Sequence, residues 1–133
     1  MLLMIVDICR YWQNLYKREY YIQQTHELIL RISKDFNSND CLFVYNGANP
    51  AFKYYSFLEG LSLPNRVFRE ISDLHIDSKE HVKCRKIFVL LSHSSNELEK
   101  DISSSFIDAG YDTLVIKPKY HGYGTFLIIA NNY

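Results

Sequence analysis

Two short polar loops carry the side chains most suited to binding or catalysis. Each loop follows an apolar run and leads into a helix-forming segment, the first after a predicted strand at 41–46 and the second after one at 86–91. The first loop contains Tyr45, Asn46, Gly47 and Asn49. Its hydroxyl and amide groups can hold ligand hydroxyls or phosphates, and backbone N–H groups at a helix start attract anions. The loop has neither GxGxxG nor the Walker lysine, so no nucleotide-binding motif is present.

The second loop places a hydroxyl beside an imidazole, in Ser92, His93 and Ser94. A hydrolase nucleophile normally lies in a GxSxG turn and takes its histidine from a distant part of the chain. Neighbouring residues of a strand point to opposite faces, so Ser92 and His93 are poorly placed to act as nucleophile and base. We therefore expect no catalytic residue here. Ser94 should form a capping box with Glu97, and His93 is either a binding-edge residue or a hydrogen-bonded structural one.

Turn and cap chemistry offers a structural explanation for the first loop as well. Asn and Gly favour turns, Asn49 can cap the following helix, and Pro50 suits the first helical position. The two loops are therefore candidate ligand-binding edges whose residues also have local structural roles.

No metal site, cofactor or nucleic-acid interface is predicted. His75, Asp77, Glu80 and His81 are metal-type ligands, but their spacing fits neither HExxH nor an EF-hand loop, so we expect a solvated connection. The 15 basic and 15 acidic residues give a net charge of zero, whereas nucleic-acid binders normally carry a basic excess.

The three cysteines are predicted to be free thiols. Cys9, Cys41 and Cys84 are odd in number, widely spaced and without a CxxC pair. Cys41 begins an apolar strand, where a free thiol behaves as a small hydrophobic side chain.

The apolar patterns predict one α/β domain with the element order α-β-α-β-β-α-β-β. Predicted helices cover 21–36, 49–58 and 94–109, and predicted strands cover 41–46, 66–71, 86–91, 112–116 and 125–130. The polar stretch 72–83 predicts an exposed connection, and the short link 117–124 favours an antiparallel hairpin. We expect a three-layer, Rossmann-like α/β sandwich with a mostly parallel sheet of about five strands and an antiparallel C-terminal strand.

The chain length of 133 residues is that of a single domain, which we place at residues 21–133. Residues 1–20 are predicted to be either a helix that packs on this domain or the membrane-proximal tail of a longer hydrophobic segment. The apolar run at the start is far shorter than the roughly 20 residues that span a bilayer. Aromatic and basic residues gather after it, as they do where a membrane helix leaves the bilayer: Tyr11, Trp12, Tyr16, Lys17, Arg18, Tyr20 and Tyr21.

Four segments between about residue 20 and residue 130 together resemble a known family: FVYNGANPAFKYY, IFVLLSHSSNELEKDI, GYDT and GYGTFLIIAN. They are similar to the soluble C-terminal domain of bacterial polytopic glycosyltransferases of the GT-C class, the lipid-phosphosugar-dependent type that includes protein mannosyltransferases. Asn46 stands where that pattern has an aromatic residue. The matching positions are Tyr45, Gly47, Ala48, Phe52, Tyr54, Tyr55, Ser92 and His93.

The resemblance implies an extracytoplasmic α/β domain that follows a membrane body of many helices. The catalytic acid of such transferases lies in a loop of that body, so the resemblance assigns no catalytic residue to this chain. It implies as partners the membrane body itself, a lipid-linked sugar or an acceptor.

Three functions are therefore considered. The first is a non-catalytic accessory or binding domain of a membrane glycosyltransferase, associated with the membrane on its extracytoplasmic face. The second is a free-standing Rossmann-like module, cytoplasmic, that binds a small phosphorylated or sugar ligand at the two loops. The third is a Ser/His hydrolase. The sequence favours no particular oligomeric state.

Overall fold

A computed structural model describes residues 8–10, 24–77, 83–118 and 124–132. Helix α1 covers 24–35 in the described part of the chain. The later elements are β1 (Cys41–Tyr45), α2 (Asn49–Leu58), β2 (Arg66–Phe68), a 3-10 helix (Ile71–Leu74), β3 (Lys86–Leu91), α3 (Asn96–Asp108), β4 (Asp112–Ile116) and β5 (Phe126–Asn131). The predicted element order is confirmed, with the 3-10 helix added.

The five strands form one mixed sheet in the order β2-β1-β3-β5-β4. β1 pairs in parallel with both β2 and β3, whereas β5 pairs antiparallel with β3 and with β4. β5 therefore runs opposite to the other four strands of the sheet. The antiparallel C-terminal strand and the β4–β5 hairpin are confirmed, and the structure is an α/β fold.

Apolar side chains are buried on both faces of this sheet. On one face, side chains of α1 and α2 such as Ile29 and Phe52 pack against β1 and β3. On the other, Ile102 and Phe106 of α3 pack against the strands. Because β3 is covered on both faces, its sequence is a continuous apolar run rather than an alternating one.

The segment after β2 differs from its prediction. The strand ends at Phe68, and a 3-10 helix follows, because the Asp73 carboxylate accepts the backbone N–H groups of Arg69 and Glu70 at 3.0 Å each. The hydrogen bond from the Glu70 N–H lowers the pKa of Asp73 most, and the bond from the Arg69 N–H lowers it further. Leu74 at the end of the 3-10 helix is fully buried, so the predicted exposed connection is wrong here. Residues 78–82 lie outside the described residues.

A disulfide joins Cys41 to Cys84, with their Cα atoms 5.7 Å apart. The prediction of three free thiols is therefore wrong for this pair, while Cys9 is free and exposed. β1 and β3 are parallel neighbours in the sheet, so their amino ends lie side by side. The two cysteines are therefore close in space, although they are 43 positions apart in sequence. Beside the disulfide, Arg85 Nε lies 3.4 Å from Oδ1 of the buried Asp40.

The predicted N-terminal region 1–20 is described only at residues 8–10, which are helical and exposed. The remainder of that region, and residues 21–23 of the first predicted helix, lie outside the described residues. Within the ranges that the structure describes, no helix has both the length and the apolar character needed to cross a bilayer.

Candidate ligand-binding edge

The loops after β1 and β3 lie side by side at one edge of the sheet. β1 and β3 are parallel neighbours, so their carboxyl ends meet at this edge. A Cβ placed on Gly47 would lie 2.7 Å from the carbonyl oxygen of Ser92, which shows how closely the two loops approach. The chain leaves β1 toward β2 on one side and returns to β3 on the other. Such a switch point is where open α/β sheets bind ligands.

A chain of buried hydroxyl groups lies beneath this edge. Thr25 Oγ1 of α1 donates to Ser92 Oγ at 3.4 Å, and Ser92 Oγ lies 3.3 Å from Thr125 Oγ1, just before β5. The three side chains are between 1% and 4% exposed. We call these three side chains the hydroxyl cluster. The cluster connects α1 to the end of β3 and the start of β5, so it stabilises the edge. Sequence reasoning missed both threonines, although Thr25 interrupts the apolar face of its helix.

Ser92 is not arranged as a catalytic nucleophile. Its hydrogen-bond partners in the described chain are the hydroxyls of Thr25 and Thr125, and a hydroxyl takes a proton far less readily than an imidazole or carboxylate does. The neighbouring His93 is exposed, with a left-handed backbone at φ 55°. The contacts of Ser92 therefore give no support to a Ser/His hydrolase.

Ser94 does not cap α3, contrary to the sequence prediction. The cap is Ser95, whose Oγ accepts the backbone N–H of Leu98 at 3.1 Å. Ser94 Oγ instead donates to the carbonyl oxygen of Gly124 at 2.8 Å, and the Ser94 N–H donates to the same oxygen at 3.3 Å. Ser94 therefore holds the second loop against the segment that precedes β5.

The first loop exposes one polar side chain and buries part of another. Asn46 is exposed. Its backbone N–H donates to the carbonyl oxygen of Phe68 at 2.9 Å, and this bond holds the loop to β2. α2 begins at Asn49 with Ala48 in the cap position and no side-chain cap bond, so the prediction that Asn49 caps the helix is wrong. Its Oδ1 is buried and has no partner in the described chain. The half-buried Tyr45 packs its ring against Phe68, with ring centroids 5.5 Å apart.

Gln24, which precedes Thr25 on α1, adds a buried amide. It is 2% exposed, and neither its Nε2 nor its Oε1 has a hydrogen-bond partner in the described part of the chain. Each buried polar group without a partner costs about 1–3 kcal/mol, and native proteins pair nearly all of them. No sequence pattern marked this residue.

The polar groups of the edge are mainly uncharged. Neither loop contains a lysine or arginine, and Glu97 and Glu99 stand in the first turn of α3. Burial raises the pKa of the Tyr55 hydroxyl on α2, and the adjacent Tyr54 raises it further. In the described ranges no group of three or more His, Cys, Asp or Glu side chains could hold a metal ion. Two members of the predicted solvated loop, Glu80 and His81, lie outside those ranges.

Comparison with known proteins finds no matching family model, curated protein or solved structure for this chain.

Two buried serines give a test of the hydroxyl cluster. Ser92→Ala should lower the free energy of unfolding by about 1–2 kcal/mol, because it leaves two buried threonine hydroxyls without their partner. Ser56 is similarly buried, but its Oγ has no partner in the described chain, so Ser56→Ala should be neutral or stabilising. Urea unfolding of both variants measures the difference, and equal losses would contradict the hydrogen bonds assigned to Ser92.

Proposed function

We propose that this chain is a non-catalytic binding domain that holds a small hydroxylated or phosphorylated ligand, such as a sugar or sugar phosphate. The ligand lies at the edge formed by residues 45–49 and 92–95. The observation that carries this proposal is the set of polar groups at the carboxyl ends of two adjacent parallel strands, with the exposed Asn46 and His93 flanking it. The partners of Ser92 favour binding over catalysis at this edge.

We further propose that the fold is a Rossmann-like three-layer sandwich serving as an accessory domain of a membrane glycosyltransferase. Its partners would be the membrane body of that enzyme, a lipid-linked sugar or an acceptor. The Cys41–Cys84 disulfide supports the extracytoplasmic side, because disulfides persist in oxidising compartments and are rare in the cytosol. The burial of apolar residues on both faces of the sheet supports the layered fold.

His93→Gly should abolish ligand binding while leaving the fold intact. Glycine adopts the left-handed backbone of this position without the Cβ penalty, and this gain offsets the greater freedom of glycine in the unfolded chain. Urea unfolding of the variant should still show a cooperative transition, so that lost binding reflects the missing imidazole and not an unfolded chain. A melting-temperature screen with neutral monosaccharides and sugar phosphates at millimolar concentration measures binding, because a ligand specific for the folded state raises that temperature.

His75→Gly is the matched control for this experiment. His75 also has a left-handed backbone, at φ 48°, but it follows the 3-10 helix and lies outside both loops. Its variant should keep every ligand-induced shift of the original chain. If no sugar or sugar phosphate shifts the original chain, or if the shifts survive His93→Gly, the proposed binding edge is wrong.

A further inference from the structure

Helix α2 presents an apolar surface that the described chain leaves exposed. Tyr54, Phe57 and Leu58 are 59%, 88% and 57% exposed and follow one another at helical spacing on its outer side. We call these three residues the α2 patch. Soluble domains expose single apolar residues as a matter of course, but clustered aromatic and aliphatic side chains mark an interaction site.

The edge strand of the sheet also exposes an apolar side chain. Val67 of the edge strand β2 pairs with Val44, whose side chain packs in the cluster under α1 and α2. Paired residues of neighbouring strands point to the same face, so Val67 lies on the face that α2 covers. It is nevertheless 46% exposed.

The face of the domain that carries α1 and α2 differs in charge from the face that carries α3. This difference favours one orientation of the domain on an anionic surface. On the α1–α2 face, the basic residues equal the acidic ones in number: Arg31, Lys34 and Lys53 against Glu27, Asp35 and Glu59. The exposed side of α3 carries three acidic residues and one basic residue: Glu97, Asp101, Asp108 and Lys100. An anionic surface therefore repels the α3 face more strongly than the α1–α2 face.

The first described residues of α1 contact α2 close to the patch. His26, two residues into the described part of α1, stacks on Tyr55 with ring centroids 4.3 Å apart, and its Nε2 lies 2.9 Å from Glu59 Oε1. Glu59 directly follows Leu58 of the patch. The sequence before α1 is rich in apolar residues and then in aromatic and basic ones, the composition of a membrane interface.

We propose that the α2 patch contacts the interfacial region of a lipid bilayer. Phe57 and Leu58 enter the boundary between headgroups and acyl chains, and Tyr54 lies at headgroup level with its hydroxyl in water. Lys53 lies next to the anionic headgroups. The inference rests on the membrane association in the proposed function and adds the face that meets the lipid.

Flotation of the full chain with vesicles tests this assignment. The vesicles are phosphatidylcholine alone or a seven-to-three mixture of phosphatidylcholine and phosphatidylglycerol. Phe57→Ser/Leu58→Ser should lower the partition coefficient at least tenfold, since it removes two apolar side chains from the contact. Ile107→Ser is the matched control, because Ile107 is 59% exposed but lies on the α3 face. It should change partitioning less than twofold with either vesicle composition.

Each contrary result has its own meaning. If the original chain binds vesicles and the double variant binds them equally well, membrane association stands and the α2 patch is the wrong face. If the original chain does not bind vesicles, the membrane association of the proposed function fails as well, although a ligand can still bind at the two loops. If light scattering shows a dimer that the double variant loses, a second copy covers the patch and the lipid assignment is overturned.

Discussion

Replacing Cys41 and Cys84 by alanine is expected to lower the free energy of unfolding by about 4 kcal/mol and the melting temperature by more than about 10 °C. The disulfide closes a long loop, with 43 positions between its ends, and such a loop loses much conformational freedom in the unfolded chain. The loop contains β1, α2 and β2. When the disulfide is formed, these three elements have fewer unfolded conformations from which to pack beside β3.

Urea unfolding with and without a reductant measures this contribution. Reduction should destabilise the original chain by the same amount as the double alanine substitution, and it should have no effect on the double variant. Cys9→Ser is the control, since Cys9 is free and exposed and its replacement should leave the unfolding curve unchanged. Equal stability of the oxidised and reduced chain would show that the disulfide does not form in solution.

Gly124→Ala is expected to cost at least about 3 kcal/mol of stability. Gly124 has a left-handed backbone at φ +66°, and a Cβ built on it overlaps the carbonyl oxygen of Ser94. The main chain of the second loop would have to move, and both hydrogen bonds from Ser94 to Gly124 would be disturbed. Overpacking against backbone atoms is costly because rigid groups cannot rotate away. Ligand binding at the edge should be lost with the same substitution.

Gly60→Ala separates the effect of space from the effect of backbone conformation. Gly60 has nearly the same φ, +65°, but a Cβ there meets no atom within 4 Å. Its substitution should therefore cost only the left-handed penalty of about 1–2 kcal/mol. Chemical denaturation of the two variants gives the difference between them. A similar loss in both would mean that the segment before β5 is not pressed against Ser94.

Local patterns in the sequence were sufficient to place most of the regular structure. The continuous run 86–91 and the segment 112–116 predict β3 and β4 at the observed bounds. Apolar residues at helical spacing in α3 predict a buried face that includes Leu98, Ile102, Phe106 and Ala109. Ile102 and Phe106 are buried there, whereas Leu98 is half-buried and Ala109, past the end of the helix, is exposed. The contact between the two loops followed from the parallel pairing of their strands.

Features that depend on distant parts of the chain could not be predicted. The Cys41–Cys84 pair forms because two strands are neighbours, and no spacing rule covers 43 positions. Thr25 and Thr125 lie in different elements, and only the assembled fold brings them to Ser92. The choice between Ser94 and Ser95 as helix cap was decided by Gly124, which offers Ser94 an acceptor 30 residues away. Adjacent serines look alike in sequence, but their tertiary contacts differ.

The position of β5 between β3 and β4 sets an order for folding during synthesis. β4 is translated first, but its pairing partner in the sheet is a strand that has not yet been made. Until residues 126–131 emerge from the ribosome, the apolar edge of β3 and the whole of β4 lack that partner. A nascent chain that has reached residue 118 therefore exposes strand edges that invite aggregation or chaperone binding. β5, which is translated after β4, fills the position between β3 and β4.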